Sequence, residues 1–94
     1  MMSRTDWITT QNQIRRFRKQ RNLRLRDVAR LVGIRDEQHV WEWEAGKRVP
    51  NLDTALRLSA GLRCPVEILF GDHFRAIREE VIRRQKRYDI RIEY

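Results

Sequence analysis

Between Asn22 and Gly71, residues that end helices recur at short intervals: Asn22, Gly33, Ala45-Gly46 followed by Pro50, then Pro65 and Gly71. The apolar residues between these stops fall three and four positions apart, the spacing of one helix face. Helices this short are not stable alone, because nucleation is costly and few backbone bonds follow it. The chain must therefore gather several of them around one shared core. No strand pattern, repeat or low-complexity tract interrupts the series.

Each segment has its own anchors. In "QNQIRRFRKQRN", residues 11–22, Ile14 and Phe17 form a narrow apolar stripe on a basic helix, with Thr9 or Thr10 placed to cap it and Asn22 to end it. "LRLRDVARLVGI", residues 23–34, carries Leu25, Val28, Ala29 and Val32 on one face and closes at Gly33, which tolerates positive φ. Asp36 caps a third helix anchored by Val40 and Trp43. Asn51 caps a fourth, with Leu52, Ala55, Leu56, Leu58, Ser59 and Leu62 expected inward. Pro65 opens a short fifth helix with Val66, Ile68, Leu69 and Phe70, stopped by Gly71.

After Gly71 the pattern changes. Asp72 is placed to cap a longer helix, "HFRAIREEVIRRQKRY", with Phe74, Ile77, Val81 and Tyr88 along one side. In "YDIRIEY", Tyr88, Ile90, Ile92 and Tyr94 alternate with Asp89, Arg91 and Glu93, which predicts a short terminal strand. A lone strand needs a partner, and antiparallel pairing with a twin chain is the expected one. A frayed tail behind a helix packed on its own domain is the alternative. The division expected is a domain over residues 1–71 and a dimerisation or partner segment over 72–94.

A chain of 94 residues with 40% hydrophobic and 36% charged residues suits one modest core. No apolar run approaches bilayer-spanning length and no signal-peptide pattern opens the chain, so no membrane partner is expected and a cytoplasmic location is. The single cysteine, Cys64, leaves no internal disulfide. One Cys and two His make a closed zinc site improbable, although His39 and Glu42 stand three apart. No nucleophile–base set or phosphate-cradling loop is present, so neither an enzyme nor a cofactor is expected.

Net charge is +8, the balance of a protein with a polyanionic partner. The charge is uneven. Residues 1–34 hold nine Lys/Arg and two acids, whereas residues 35–44, "RDEQHVWEWE", hold one Arg and four acids.

Two short helices joined across a glycine turn, "VARLVGIRDEQHVWEWE", have the layout of a helix-turn-helix. With "IRRFR" before them, "VWEWEAGKRVP" at the exit and "LRLSAGLRCPVEILFG" after, the chain from Ile14 to Phe70 resembles the lambda-repressor-like, or XRE-type, helix-turn-helix family. The resemblance implies an all-α fold: a five-helix DNA-binding domain, here followed by a C-terminal helix and the short strand. It implies duplex DNA binding, usually as a two-fold dimer, and regulation of transcription. The third helix would enter the major groove with Glu37, Gln38, Trp41 and Glu42 facing bases. Gly46, Lys47 and Arg48 would approach phosphates, and Arg18 and Glu44 match a partly buried ion pair of the family. Three features depart from its pattern. Arg24-Leu25 stand where the second helix commonly opens with Ser-Gln or Thr-Gln, the turn "GIRDEQHV" is one residue longer than usual, and the third helix is acidic.

Beyond Glu44 and the capping Asp36, Glu37 and Glu42 are left to explain. A carboxylate in the major groove accepts from cytosine N4, so acids can specify a base while Lys47, Arg48, Arg24, Arg26 and Arg15 or Arg16 attract phosphates. The competing reading has these acids repel DNA while the helix serves a protein partner. Trp41 has three roles open to it: touching a thymine methyl or sugar, packing on a partner, or lying beneath its own C-terminal segment. The function expected is sequence-specific duplex DNA binding by an XRE-type regulator, acting as a homodimer through residues 73–94. An antitoxin-like or adaptor interaction protein is the rival.

Overall fold

A computed structural model describes residues 12–92. Six helices follow in order: α1 (Ile14–Gln20), α2 (Leu25–Val32), α3 (Glu37–Glu44), α4 (Leu52–Leu62), α5 (Val66–Leu69) and α6 (Gly71–Arg87). The core draws on the first five. Ile14, Val28, Ala29, Val32, Val40, Trp43, Leu58, Leu62, Cys64 and Leu69 form one buried cluster, with Phe17, Leu23, Leu25, Ile34 and Phe70 packed against it.

The helix starts follow local hydrogen bonding. Asp36 Oδ1 accepts from the Gln38 N–H at 2.9 Å, and Asn51 Oδ1 accepts from the Thr54 N–H at 2.8 Å. The α1 start relies on Asn12, whose Oδ1 accepts from Ile14 N–H at 3.0 Å and whose Nδ2 donates to the Trp43 carbonyl at 2.6 Å. One amide thus ties the start of α1 to the end of α3. Thr9 and Thr10, expected as caps, lie outside the described residues.

Five of the six helices, all but α5, end on a single device. Asn22, Gly33, Gly46, Arg63 and Asp89 all have positive φ, between 51° and 80°. After each, the next N–H donates back five residues: Leu23 to Arg18, Ile34 to Ala29, Lys47 to Glu42, Cys64 to Ser59 and Ile90 to Gln85, all at 2.9–3.1 Å. This closure satisfies carbonyls that a helix end otherwise leaves open.

That last closure overturns the expected terminal strand. α6 continues to Arg87, and the backbone of Tyr88 to Ile90 turns back onto it. Among the described residues there is no strand. The alternation of Tyr88, Ile90 and Ile92 is real in the sequence, but a strand exists only through a ladder partner, and none stands among the described residues.

Smaller corrections concern burial and caps. Leu52 is 71% exposed and Leu56 48%, so α4 turns only Ala55, Leu58 and Leu62 into the core. Gly71 begins α6 instead of merely ending α5. Phe70 occupies the cap position, with the Phe74 N–H donating to its carbonyl at 2.8 Å, so Asp72 lies in the first turn and not at the cap.

Candidate nucleic-acid interface

α3 is oriented by what it buries. Val40 and Trp43 sit in the core, which leaves Glu37, Gln38 and Trp41 exposed on the outer side. Arg18 fixes the far end. Its Nε donates to Glu44 Oε2 at 2.6 Å, Nη2 donates to Oε1 at 3.2 Å, and Nη1 donates to the Leu23 carbonyl at 3.0 Å. The two side chains are 12% and 6% exposed, so this fork holds α1, the following turn and α3 together away from water.

The exit of α3 folds back on the helix. Gly46, at φ 72°, makes the left-handed turn that lets the Lys47 N–H reach the Glu42 carbonyl at 2.9 Å. From there Lys47 Nζ sits 4.6 Å from the centre of the Trp41 ring. Arg48 Nε lies 3.0 Å from Glu42 Oε2. Two exit cations are thus laid on two outward residues of α3.

These contacts account for most of the acidity of α3 and its cap. Asp36 is spent on the helix start, Glu44 on Arg18 and Glu42 on Arg48. Among the described residues Glu37 alone of the four has no such partner. It shares a shallow cleft with Gln38, Trp41 and Leu25, the first residue of α2. The outer face therefore carries one open carboxylate beside an amide and two apolar side chains.

The α2 start differs from an ordinary capped helix. Arg24 stands at the N-cap, where its side chain offers no acceptor, so only the reciprocal half of a capping box forms. The Arg24 N–H donates to Asp27 Oδ2 at 2.8 Å, and Arg24 Nε approaches the same oxygen at 3.4 Å. The backbone bond from Arg24 is the main influence holding the Asp27 carboxyl below its ordinary value. Arg26 is exposed, as is Arg15. Arg16 belongs to a different hollow, shared with Glu67, Ile68, Asp72 and Arg75.

Three features of this face were missed in the sequence: Leu25 in the cleft, the Arg48–Glu42 pair and the Lys47–Trp41 stacking. Each pair spans six positions across a helix end, a separation that no helical periodicity brings together. The glycine at position 46 is the one signal that could have suggested it. For Leu25 the signal was its place at the head of the second helix, where the family pattern is polar. His39 and Glu42 do not join a metal-binding cluster, and no group of three or more metal-capable side chains occurs among the described residues.

The family described as Helix-turn-helix matches residues 14–69, more than half of the chain, and its domains are non-catalytic DNA-binding modules of the XRE, or Cro/repressor-like, type. No curated protein and no solved structure matches. No helix of the described residues is long and apolar enough to cross a membrane. By the match over residues 14–69, and with a two-helix motif, a glycine-turned exit and a buried Arg18–Glu44 fork, the chain belongs to the helix-turn-helix family of XRE-type DNA-binding domains.

Proposed function

We propose that the protein is a sequence-specific duplex DNA-binding regulator of transcription that inserts α3 into the major groove. The observation that carries this is the local neutralisation of α3. A helix whose acids stayed open would be repelled by phosphate, but here Arg48 covers Glu42 and Arg18 covers Glu44. Glu37, Gln38, Trp41 and Glu42 are the base-facing set, and Arg24, Arg26, Gly46, Lys47 and Arg48 the phosphate-facing set. Such a regulator works where duplex DNA is accessible, in the cytoplasm.

Two copies act together, in this reading, through the segment from residue 73 onward. α6 buries none of its residues, and Phe74, Ile77, Val81 and Tyr88 are 53%, 38%, 52% and 64% exposed. Their spacing of three, four and seven places them on one stripe, the seam that an identical helix covers by two-fold symmetry. DNA supports the same occupant, since half-sites one helical turn apart call for two reading helices related by a dyad.

The test is a binding titration against random duplex and against duplexes selected from a random pool, at low and high salt. The proposal expects steep salt dependence on both and a selected sequence that binds well above random. Flat salt dependence with no selected sequence would replace it with the antitoxin-like or adaptor reading, in which the α6 stripe and Trp41 serve another protein.

A further inference from the structure

We infer that Leu25 and Trp41 form a receptor for the 5-methyl group of one thymine, so that the domain reads a T·A pair partly through a residue of α2. The inference rests on the proposed insertion of α3 and adds a reading residue that lies outside it.

Leu25 heads α2 and is half-buried, its inner side packed against the core cluster. Its outer side opens into the cleft it shares with Glu37, Gln38 and Trp41. Because that cleft contains three of the four base-facing residues, Leu25 lies on the same face as they do. Trp41 is 40% exposed, with the Lys47 ammonium 4.6 Å from the centre of its ring. An apolar notch thus lies between an exposed indole and a leucine anchored on the core.

The chemistry of the major groove matches these four walls. Thymine is the one base that presents an apolar group there, its 5-methyl, and apolar side chains read it by contact. Its partner adenine presents N7 as acceptor and the N6 amino group as donor, the pattern a glutamine amide meets with two hydrogen bonds. Gln38 stands at the same cleft with an amide free to do so. The open Glu37 carboxylate accepts only, so it disfavours a base edge that offers nothing but acceptors, as guanine does with N7 and O6. Methyl into the notch, adenine to Gln38 and guanine refused by Glu37 all select the same pair.

The experiment uses the full-length protein and one selected duplex in which each thymine in turn is replaced by deoxyuridine, which removes the methyl and nothing else. One thymine per half-site should respond, with affinity falling about fourfold, the worth of one buried methyl. Leu25→Ala should bind the thymine and deoxyuridine versions of that position alike. Leu25→Gln, which keeps the length of the side chain but not its apolar end, should do the same. If wild-type binding is intact and every deoxyuridine substitution is silent, the inference is overturned. It is equally overturned if one thymine responds but both Leu25 variants still sense its methyl. Absence of binding to any duplex would instead remove the DNA-reading function on which the inference stands.

Discussion

α3 and α6 are both amphipathic, yet the chain treats them in opposite ways. In α3 two anchors are buried, the acid at the cap bonds to backbone, and two of the three helical acids meet an arginine. In α6 no residue is buried, and its ion pairs, Arg84–Glu80 and Arg75–Asp72, lie within the helix itself. The difference separates a helix whose orientation its own chain fixes from one whose apolar stripe no other described residue buries. In the proposed function, the held helix is the one that would read bases and the uncovered stripe is the one that would meet a second copy.

The two helices should differ most in their ion pairs. Glu44→Ala leaves Arg18 buried without its partner, which typically costs about 3–5 kcal/mol. In a domain of this size the melting temperature should fall on the order of 10 °C or more. Glu80→Ala removes a partly exposed i,i+4 helical pair worth roughly 0.3–0.5 kcal/mol, and should leave the melting curve nearly unchanged. Equal shifts in the two variants would show that α3 is no more tightly held than α6.

Next in size is the α6 stripe. Val81→Asp places a charge in the middle of it at a position already half exposed, so the fold should survive while the dimer does not. Light scattering should show the mass per particle halved relative to wild type, with an unchanged helical circular-dichroism signal. A mass that is the same in both proteins would take the stripe out of self-association.

Gly46→Ala sharpens the comparison at the α3 exit. A side chain at φ 72° costs about 1–2 kcal/mol, and the strain falls on the turn that brings Lys47 and Arg48 back over the helix. Stability should drop by that amount, and DNA affinity should drop with it. Lost stability with full affinity would mean that the exit loop does not organise the reading face.

The smallest effect is at Asp27, which supports the start of α2. Its carboxyl is held below its ordinary value, so the stabilisation is present above that value and is lost as pH falls through the lowered one. Asp27→Asn should therefore melt slightly earlier than wild type at neutral pH, and the gap should close as pH falls through the lowered value and the wild-type carboxyl is protonated. A gap that persists in acid would place the effect elsewhere.

Much of the architecture was legible because caps and core anchors act locally. Asp36, Asn51, Gly33 and Val40 do what their residue types dictate, and the order of the helices follows. What was not legible depended on partners or on costly geometry. Arg63 and Asp89 make the same left-handed helix end as Gly33 and Gly46, but neither residue announces it. Reading "YDIRIEY" as a strand failed for that reason, since the turn at Asp89 and the bond from Ile90 to Gln85 belong to a helix end. Leu52 and Leu56 sit at helical spacing yet face outward, because the core is filled by Ala55, Leu58 and Leu62 on the neighbouring arc. The acidic helix posed the sharpest question, and its answer was out of reach of periodicity, since the Glu42–Arg48 pair crosses the end of α3.

That pair also carries the neutralisation of α3. Glu42→Gln keeps the size of the side chain, removes the charge that holds Arg48 and frees that arginine for phosphate. Affinity for random duplex should rise, and the margin between selected and random duplex should shrink by a factor of about five or more, in line with roughly 1–3 kcal/mol for one base contact. Binding of Glu42→Gln to both duplexes measured as equal to wild type would contradict the claim that this acidic helix reads DNA.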